Sequence, residues 1–228
     1  MHNSYTVRAI GTAHSPYTQK FGIPRQPQLA PAAQTRIVLD KQFGADCVRG
    51  LDGFEYIWVQ FLFHDAVAEG WAELVRPPRL GGRKKTGVFA SRSPHRPNHI
   101  GLSLMRLTRI DTAGKQVEIW CEGGDLLDGT PVLDIKPYLP FAEAKPDAAS
   151  GYVQGAPATL TVRWQPESGA DALPAATRAL VEQVVAQDPR PAYQDEPSRV
   201  YGMEIAGLEV RFTIADGEAV VWECKKAA

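Results

Sequence analysis

The chain has 228 residues, 44% of them hydrophobic and 22% charged, with a formal net charge of −1 at pH 7. That balance is globular and excludes a disordered chain, and the near-zero charge leaves nucleic-acid or membrane affinity to a local patch alone. Cys47, Cys121 and Cys224 are too few and too widely spaced for a disulfide framework. With no basic-then-apolar leader and no apolar run near the roughly 18 residues of a membrane span, a soluble cytoplasmic protein is expected.

Up to about residue 140 the pattern predicts strand after strand. YTVRAIG, TRIVLD, FEYIWVQFLF, TGVFASR, IGLSLMRL, QVEIWC and PVLDIKPYL are short, rich in β-branched and aromatic residues, and separated by Gly, Pro, Asn or Asp. In FEYIWVQFLF both faces are apolar, with Phe54, Tyr56 and Trp58 on one and Ile57, Val59 and Phe61 on the other, which predicts a central strand covered on two sides. ADCVRGL reads as a short helix. Strands do not alternate regularly with helices, which argues against a doubly wound sheet and for a mainly β fold, a mostly antiparallel sheet closed into a barrel.

Composition shifts at AEAKPDAASGYVQGAP, residues 142–157, where Ala, Gly, Ser and Pro accumulate. A barrel domain over 1–145 and a smaller α+β domain over 146–228 are expected. In the latter, ATLTVRW reads as a strand, LPAATRALVEQVVAQDP as a helix with Leu180, Val181, Val184 and Val185 on one stripe, and RVYGMEI, LEVRFTI and AVVWEC as strands, the last two joined at ADGE.

Charge is unevenly placed. From Leu74 to Ile110 there are nine Lys or Arg residues and no acid, whereas residues 151–228 hold seven basic and eleven acidic side chains. An electropositive rim that meets an anion is expected. Within it lies SRSPHRPNHIGLS, residues 91–103, where Pro94 and Pro97 stiffen a loop bearing Arg92 and Arg96. Such planar forks suit phosphate or carboxylate, or equally an acid within the fold.

Two further clusters carry chemistry. In DLLDGTPVLDIKPYLP, Asp125 and Asp128 bracket a turn, while Asp134, Lys136 and Tyr138 alternate on one strand face opposite Ile135. In DPRPAY, two prolines hold Arg190 and Tyr193 in one rigid loop, the pairing that stacking on an unpaired base requires. No Cys-x-x-Cys pair exists and no histidines show ligand spacing on a predicted helix, so no metal is expected, and neither a Walker loop, a GxGxxG turn nor a serine elbow is present.

KFGIPRQPQL, ADCVRGLDGF, VRPPRLGG, GVFASRSPHRPNHIGLS, DLLDGTPVLDIKPYLP and AQDPRPAY occur in one order, and over nearly its whole length the chain resembles the bacterial TsaA-like (TrmO-type) tRNA (adenine-N6)-methyltransferases. The resemblance implies methylation of the exocyclic N6 of threonylcarbamoyl-adenosine, next to the anticodon of tRNA, by S-adenosylmethionine. It also implies a single-sheet β-barrel and a homodimer. Cofactor contacts carry over to Pro27, Gln28, Leu29, His64, Asp65, Arg92, Leu102, Glu122, Gly123, Gly124 and Asp125. The chain departs from the family pattern at His99, where proline is usual, and the local backbone is expected to be less rigid there.

Given that reaction, Asp134 and Tyr138 are the candidate base and orienting group, and Arg96, Lys136 and Arg190 the candidate readers of the substrate's carboxylate. Arg83, Lys84 and Lys85 are expected to meet tRNA phosphates, and Arg190 with Tyr193 to approach the anticodon loop. A non-catalytic RNA-binding module and a regulatory β-barrel remain the alternatives.

Overall fold

A computed structural model describes residues 4–191, 194 and 196–227. The first half is a barrel of six strands: β1 (Gly11–His14), β2 (Gln34–Leu39), β3 (Tyr56–Leu62), then β6 (Ile100–Asp111), β7 (Glu118–Glu122) and β8 (Thr130–Pro137). The two-residue strands β4 (Leu74–Val75) and β5 (Thr86–Gly87) pair with each other outside it. The barrel closes in the order β1-β2-β7-β6-β3-β8, and every neighbouring pair is antiparallel. Closure leaves no free sheet edge, and a barrel this narrow is filled by its own side chains.

Those side chains are the inward members of each alternation: Ile37, Ile57, Val59, Met105, Ile119 and Val132 are all fully buried. Burying each stabilises the fold by roughly 1.5–3 kcal/mol. At the inward position Gly101 a Cβ would lie 2.3 Å from the ring of Phe61 on the neighbouring strand, so that ring fills the space in its place. The outward residues of β3, Tyr56 and Trp58, are only partly covered, by Tyr138 edge-on and by the short helix α1 (Pro140–Glu143), whose Glu143 accepts the Trp58 indole N–H at 2.8 Å. The outer face of a single-layer barrel looks to solvent, so only one side of this strand is fully covered.

The second half is a four-stranded sheet, β10 (Tyr201–Ile205), β11 (Leu208–Ala215), β12 (Glu218–Lys226) and β9 (Thr161–Trp164), with β9 parallel to β12. Helix α2 (Ala175–Ala186) packs on it through Leu180, Val181, Val184 and Val185. Both hairpins turn on residues with positive φ, Ala206–Gly207 at 51° and 72° and Asp216–Gly217 at 50° and 77°, the conformation a two-residue type I′ turn demands.

This second core is not closed by its own residues. Tyr17, Ala30 and Ala33 belong to it, with Phe21 and Ile23 against it. The main chain of this intervening segment is pinned there too: Ala206 N–H donates to the Pro16 carbonyl and Ala32 N–H to Gln183 Oε1, both at 2.8 Å.

Some sequence expectations need correction. YTVRAIG is a strand only from Gly11: Ile10 still bonds Val132 and Asp40 through its main chain, but residues 5–9 make no backbone hydrogen bond among the described residues. In TGVFASR only Thr86–Gly87 is extended, and Val88–Ala90 form a 3₁₀ turn that buries Val88 and leaves Phe89 outside. ADCVRGL is a pair of 3₁₀ turns, Ala45–Val48 and Leu51–Gly53, broken by Gly50 at φ 81°. At His99 the chain adopts a conformation of its own. His99 sits at φ 49°, which proline does not reach, is 8% exposed, and holds the Pro94 carbonyl through Nδ1 at 2.9 Å.

Candidate active site

The arginine loop is built by its own serines. Ser91 Oγ donates to the Val88 carbonyl and accepts from Ser93 N–H, and Ser93 Oγ in turn accepts from His95 N–H. Arg96 Nη1 closes the loop on the Ser91 carbonyl at 3.2 Å. Arg92 donates to Gln26 Oε1. Among the described residues neither arginine forms an ion pair with an acid, so the reading that makes them internal counter-ions does not hold.

Opposite Arg92, the 3₁₀ turn Pro27–Leu29 lies against β6, where Gln28 Nε2 donates to the Leu104 carbonyl at 3.1 Å. The turn after β7 meets it from below. Gly123 has φ 77° and a Cβ there would stand 2.6 Å from the Pro27 carbonyl oxygen; at Gly124, φ 149°, a Cβ would stand 2.1 Å from Thr35 Oγ1. Two glycines therefore allow three backbone segments to meet closely, and buried Thr35 fixes them by donating to the Gly123 carbonyl at 2.9 Å.

That turn delivers Asp125. Ser103, inward on β6 and 3% exposed, donates to Asp125 Oδ1 at 2.5 Å. Burial pushes the Asp125 carboxyl up to about 6, against the opposing pull of the Ser103 hydrogen bond and the Arg92 charge. Tyr17, whose hydroxyl is raised by burial and then by Asp125, forms another wall. Arg92, the part-buried Asp125 carboxyl and the close-packed 26–29 and 123–125 turns thus converge at one end of β6, whose Leu102 is half-exposed on the outer face.

Glu122 stands apart from that group. Its carboxylate takes Arg106 Nη1 at 2.9 Å while Arg106 Nε holds Glu55 at 3.1 Å, all on the outer barrel wall. His64 and Asp65 lie just past β3, 3.6 Å apart, and Lys20 ties this corner together through Glu69 at 2.8 Å and the Asp65 carbonyl at 3.5 Å.

Asp134, Lys136 and Tyr138 do share the outer face of β8 while Ile135 turns to the core, and Lys136 Nζ is 3.0 Å from Asp134. Register aligns Leu102, Gln60 and Asp134 across three adjacent strands. At the usual strand spacing Asp134 lies about 10 Å from Leu102. Arg83, Lys84 and Lys85 sit in the loop before β5 and make no ion pair among the described residues. Arg190 forms a bidentate pair with Asp188, Nε–Oδ1 2.8 Å and Nη2–Oδ2 2.9 Å, and is 13% exposed. Tyr193 lies outside the described residues. No group of His, Cys, Asp or Glu suited to a metal ion is found among the described residues.

Gln26, Thr35 and Ser103 were missed from sequence. Ser103 carried a signal: it is the polar residue in the inward row Gly101, Ser103, Met105 of its strand.

A closed antiparallel barrel, with an arginine loop and a carboxyl set among close-packed backbone turns at one end, is joined to a second α+β unit. The chain belongs to the tRNA-methyltransferase O family, whose N-terminal domain matches residues 12–144 and whose C-terminal domain matches 157–227. It is 60% identical over 168 residues to a tRNA (adenine(37)-N6)-methyltransferase of Eikenella corrodens, covering 74% of this chain and 95% of that protein. Another of that name from Escherichia coli is 42% identical over 223 residues, covering 94% and 95%. The crystal structure of TrmO from Pseudomonas aeruginosa superposes with a TM-score of 0.79 at 35% identity, covering 97% of this chain and 98% of that one.

Proposed function

We propose that the protein is a cytoplasmic, homodimeric S-adenosylmethionine-dependent tRNA methyltransferase acting on the N6 of threonylcarbamoyl-adenosine beside the anticodon. The observation that carries this reading is the convergence of Arg92, the 26–29 turn and Asp125 in a chain of this family. Its donor set fits the cofactor: a guanidinium for an amino-acid carboxylate, a carboxyl for ribose hydroxyls, an apolar wall at Leu102 for a base. Pro27, Gln28, Leu29, Arg92, Leu102, Gly123, Gly124 and Asp125 would hold it, with His64 and Asp65 at the edge and Glu122 contributing through its main chain.

When bound, the cofactor supplies an electrophilic sulfonium methyl group. The protein's part is to hold the acceptor nitrogen in line, which in good intramolecular systems is worth on the order of 7–11 kcal/mol. The nitrogen's lone pair is delocalised into a urea, so its proton must be taken up as the new bond forms. Asp134 is proposed to accept it, with Tyr138 orienting the base; such assistance is worth roughly 10²–10⁴-fold. Arg83, Lys84 and Lys85 are assigned to tRNA phosphates, Arg96 and Lys136 to the substrate's carboxylate, and Arg190 with Tyr193 to the anticodon loop. Ile100 and Leu102 on β6, Phe89 and Phe141 are exposed large apolar side chains, and a second copy is proposed to cover them. No helix among the described residues is long and apolar enough to cross a membrane.

Purified protein, S-adenosylmethionine and tRNA with or without threonylcarbamoyl-adenosine test the proposal. Mass spectrometry of the digested tRNA is expected to find one added methyl group on the hypermodified nucleoside only. Saturable tRNA binding without methyl transfer or cofactor binding would favour a bare RNA-binding module instead.

A further inference from the structure

A cavity of about 380 Å³ lies between residues 20–25, Pro78, Pro157 and the 187–191 loop that follows α2. Its walls are largely proline and the sides of Phe21 and Ile23, a stiff apolar frame. Charge inside it is unbalanced. Asp188 is the one carboxylate among the described lining residues, and both its oxygens are taken by Arg190. Lys20 is likewise engaged, by Glu69.

Arg25 is different. Its guanidinium makes no hydrogen bond or ion pair among the described residues, yet the cavity walls and then the charge of Arg79 press its pKa below the ordinary arginine value, with Asp188 opposing only in part. Arg79, on the exposed 78–80 turn, donates to the Gly155 carbonyl at 2.7 Å. Among the described residues, Arg25 and Arg79 are faced by the partial pull of Asp188, whose two oxygens Arg190 already holds. Holding two like-charged forks together without a counter-ion is unfavourable, and an anion placed between them relieves it.

We propose that Arg25, backed by Arg79, is an anion seat that takes one negatively charged oxygen group of the RNA acceptor. The seat is continuous with the cofactor cleft, since Arg25 directly precedes Gln26, the partner of Arg92, and Gln187 on the far wall reaches back to the Leu29 carbonyl at 3.5 Å. A cavity walled by Phe21, Ile23 and prolines, with Arg25 in its lining, fits a nucleobase carrying, or flanked by, an anion. Two sources share that chemistry: a carboxylate on the modified base and a backbone phosphate. The assignment of the ligand to RNA rests on the proposed function; the seat itself does not.

The test has two parts, both on the full-length protein. Arginine side-chain NMR, with the Arg25 signal assigned through Arg25→Lys, is recorded while inorganic phosphate is titrated in. A saturable shift of the Arg25 Nε–H signal that Arg79→Ala weakens is the expected result. No shift overturns the seat, whatever the protein does with tRNA.

Affinities of wild type, Arg25→Ala and Arg25→Lys are then measured for tRNA with and without threonylcarbamoyl-adenosine, with S-adenosylmethionine affinity as the folding control. A loss of about 10- to 100-fold for Arg25→Ala is expected, with partial rescue by lysine. A loss confined to the modified tRNA identifies the carboxylate. An equal loss on both, with the salt slope reduced by about one, identifies a phosphate. Unchanged affinity for both tRNAs removes the RNA-anion role. If the wild type binds neither tRNA while phosphate still shifts Arg25, the functional reading falls and the seat stands.

Discussion

Ser103 reaches Asp125 from inside the barrel wall, its hydroxyl donating to Oδ1 at 2.5 Å. A strand position that elsewhere holds Ile, Val or Met here holds the group that anchors the cleft's only deeply set carboxyl. Truncation by Ser103→Ala is expected to cost about 1–2 kcal/mol of stability, because the carboxyl loses its partner without gaining water. It also removes a contact that favours the ionised form, so the Asp125 carboxyl carbon should titrate at higher pH in the variant. NMR of that carbon checks it; an unmoved titration means the hydroxyl does not hold the carboxyl.

Asp125 itself makes stability depend on pH. Its carboxyl is raised from 3.8 to about 6, faced by Ser103, Arg92 and Tyr17. Through that window the unfolded chain has released a proton the folded chain keeps, so stability falls as pH rises. Asp125→Asn has no such proton to lose. Denaturant melts should show the variant gaining about 1–3 kcal/mol relative to wild type between pH 4 and pH 7. A constant difference across that range would contradict the raised value.

The two glycines of the turn are expected to respond unlike others with positive φ. Gly124→Ala forces a Cβ into Thr35 as well as straining the backbone, and should cost upwards of about 2 kcal/mol. Gly129→Ala, with φ 79° and nothing within 4 Å of the new carbon, should cost only about 1 kcal/mol. Thermal melts of the two variants side by side decide this.

For Glu122 the expected effect is small. Its carboxylate is committed to Arg106, an exposed pair, so Glu122→Ala should leave S-adenosylmethionine affinity within about two-fold and cost less than about 1 kcal/mol. Titration calorimetry reads both outcomes against Arg92→Ala, which is expected to lose at least ten-fold in the same assay.

Replacing Arg83, Lys84 and Lys85 together by alanine should weaken tRNA binding at low salt. The logarithmic salt slope should drop by about two to three. An unchanged slope would mean that the 83–85 loop stays off the phosphates.

Much of the barrel was legible because its strands obey a two-residue period over rows such as Ile57, Val59 and Phe61, and closure hides every inward residue alike. The hairpins at 206–207 and 216–217 follow from the conformation they need, and ADGE announced the second. What escaped were features made by contact between distant segments. Nothing near Val88 says that its strand stops at Gly87, and nothing near His99 says that a left-handed turn replaces the family's proline. The arginine loop was readable as a stiff display of Arg92 and Arg96, but not that Arg92 rests on a glutamine and Arg96 on a carbonyl. Arg25 passed unnoticed because its meaning lies in Arg79 and Asp188, more than fifty and more than a hundred and fifty residues away.

The segment from Ser15 to Ala33 leaves the barrel, threads through the second core and comes back as β2, carrying the 26–29 turn with it. The cleft is therefore strung between two separately packed bodies, like a cord whose tension is set at both ends. Loosening α2 or the β10–β11 hairpin slackens the turn that faces Arg92, although among the described residues Arg92's side-chain hydrogen bond goes to Gln26 and not to that region. Damage to the second half should register first as a floppy cofactor cleft, well before the barrel itself melts.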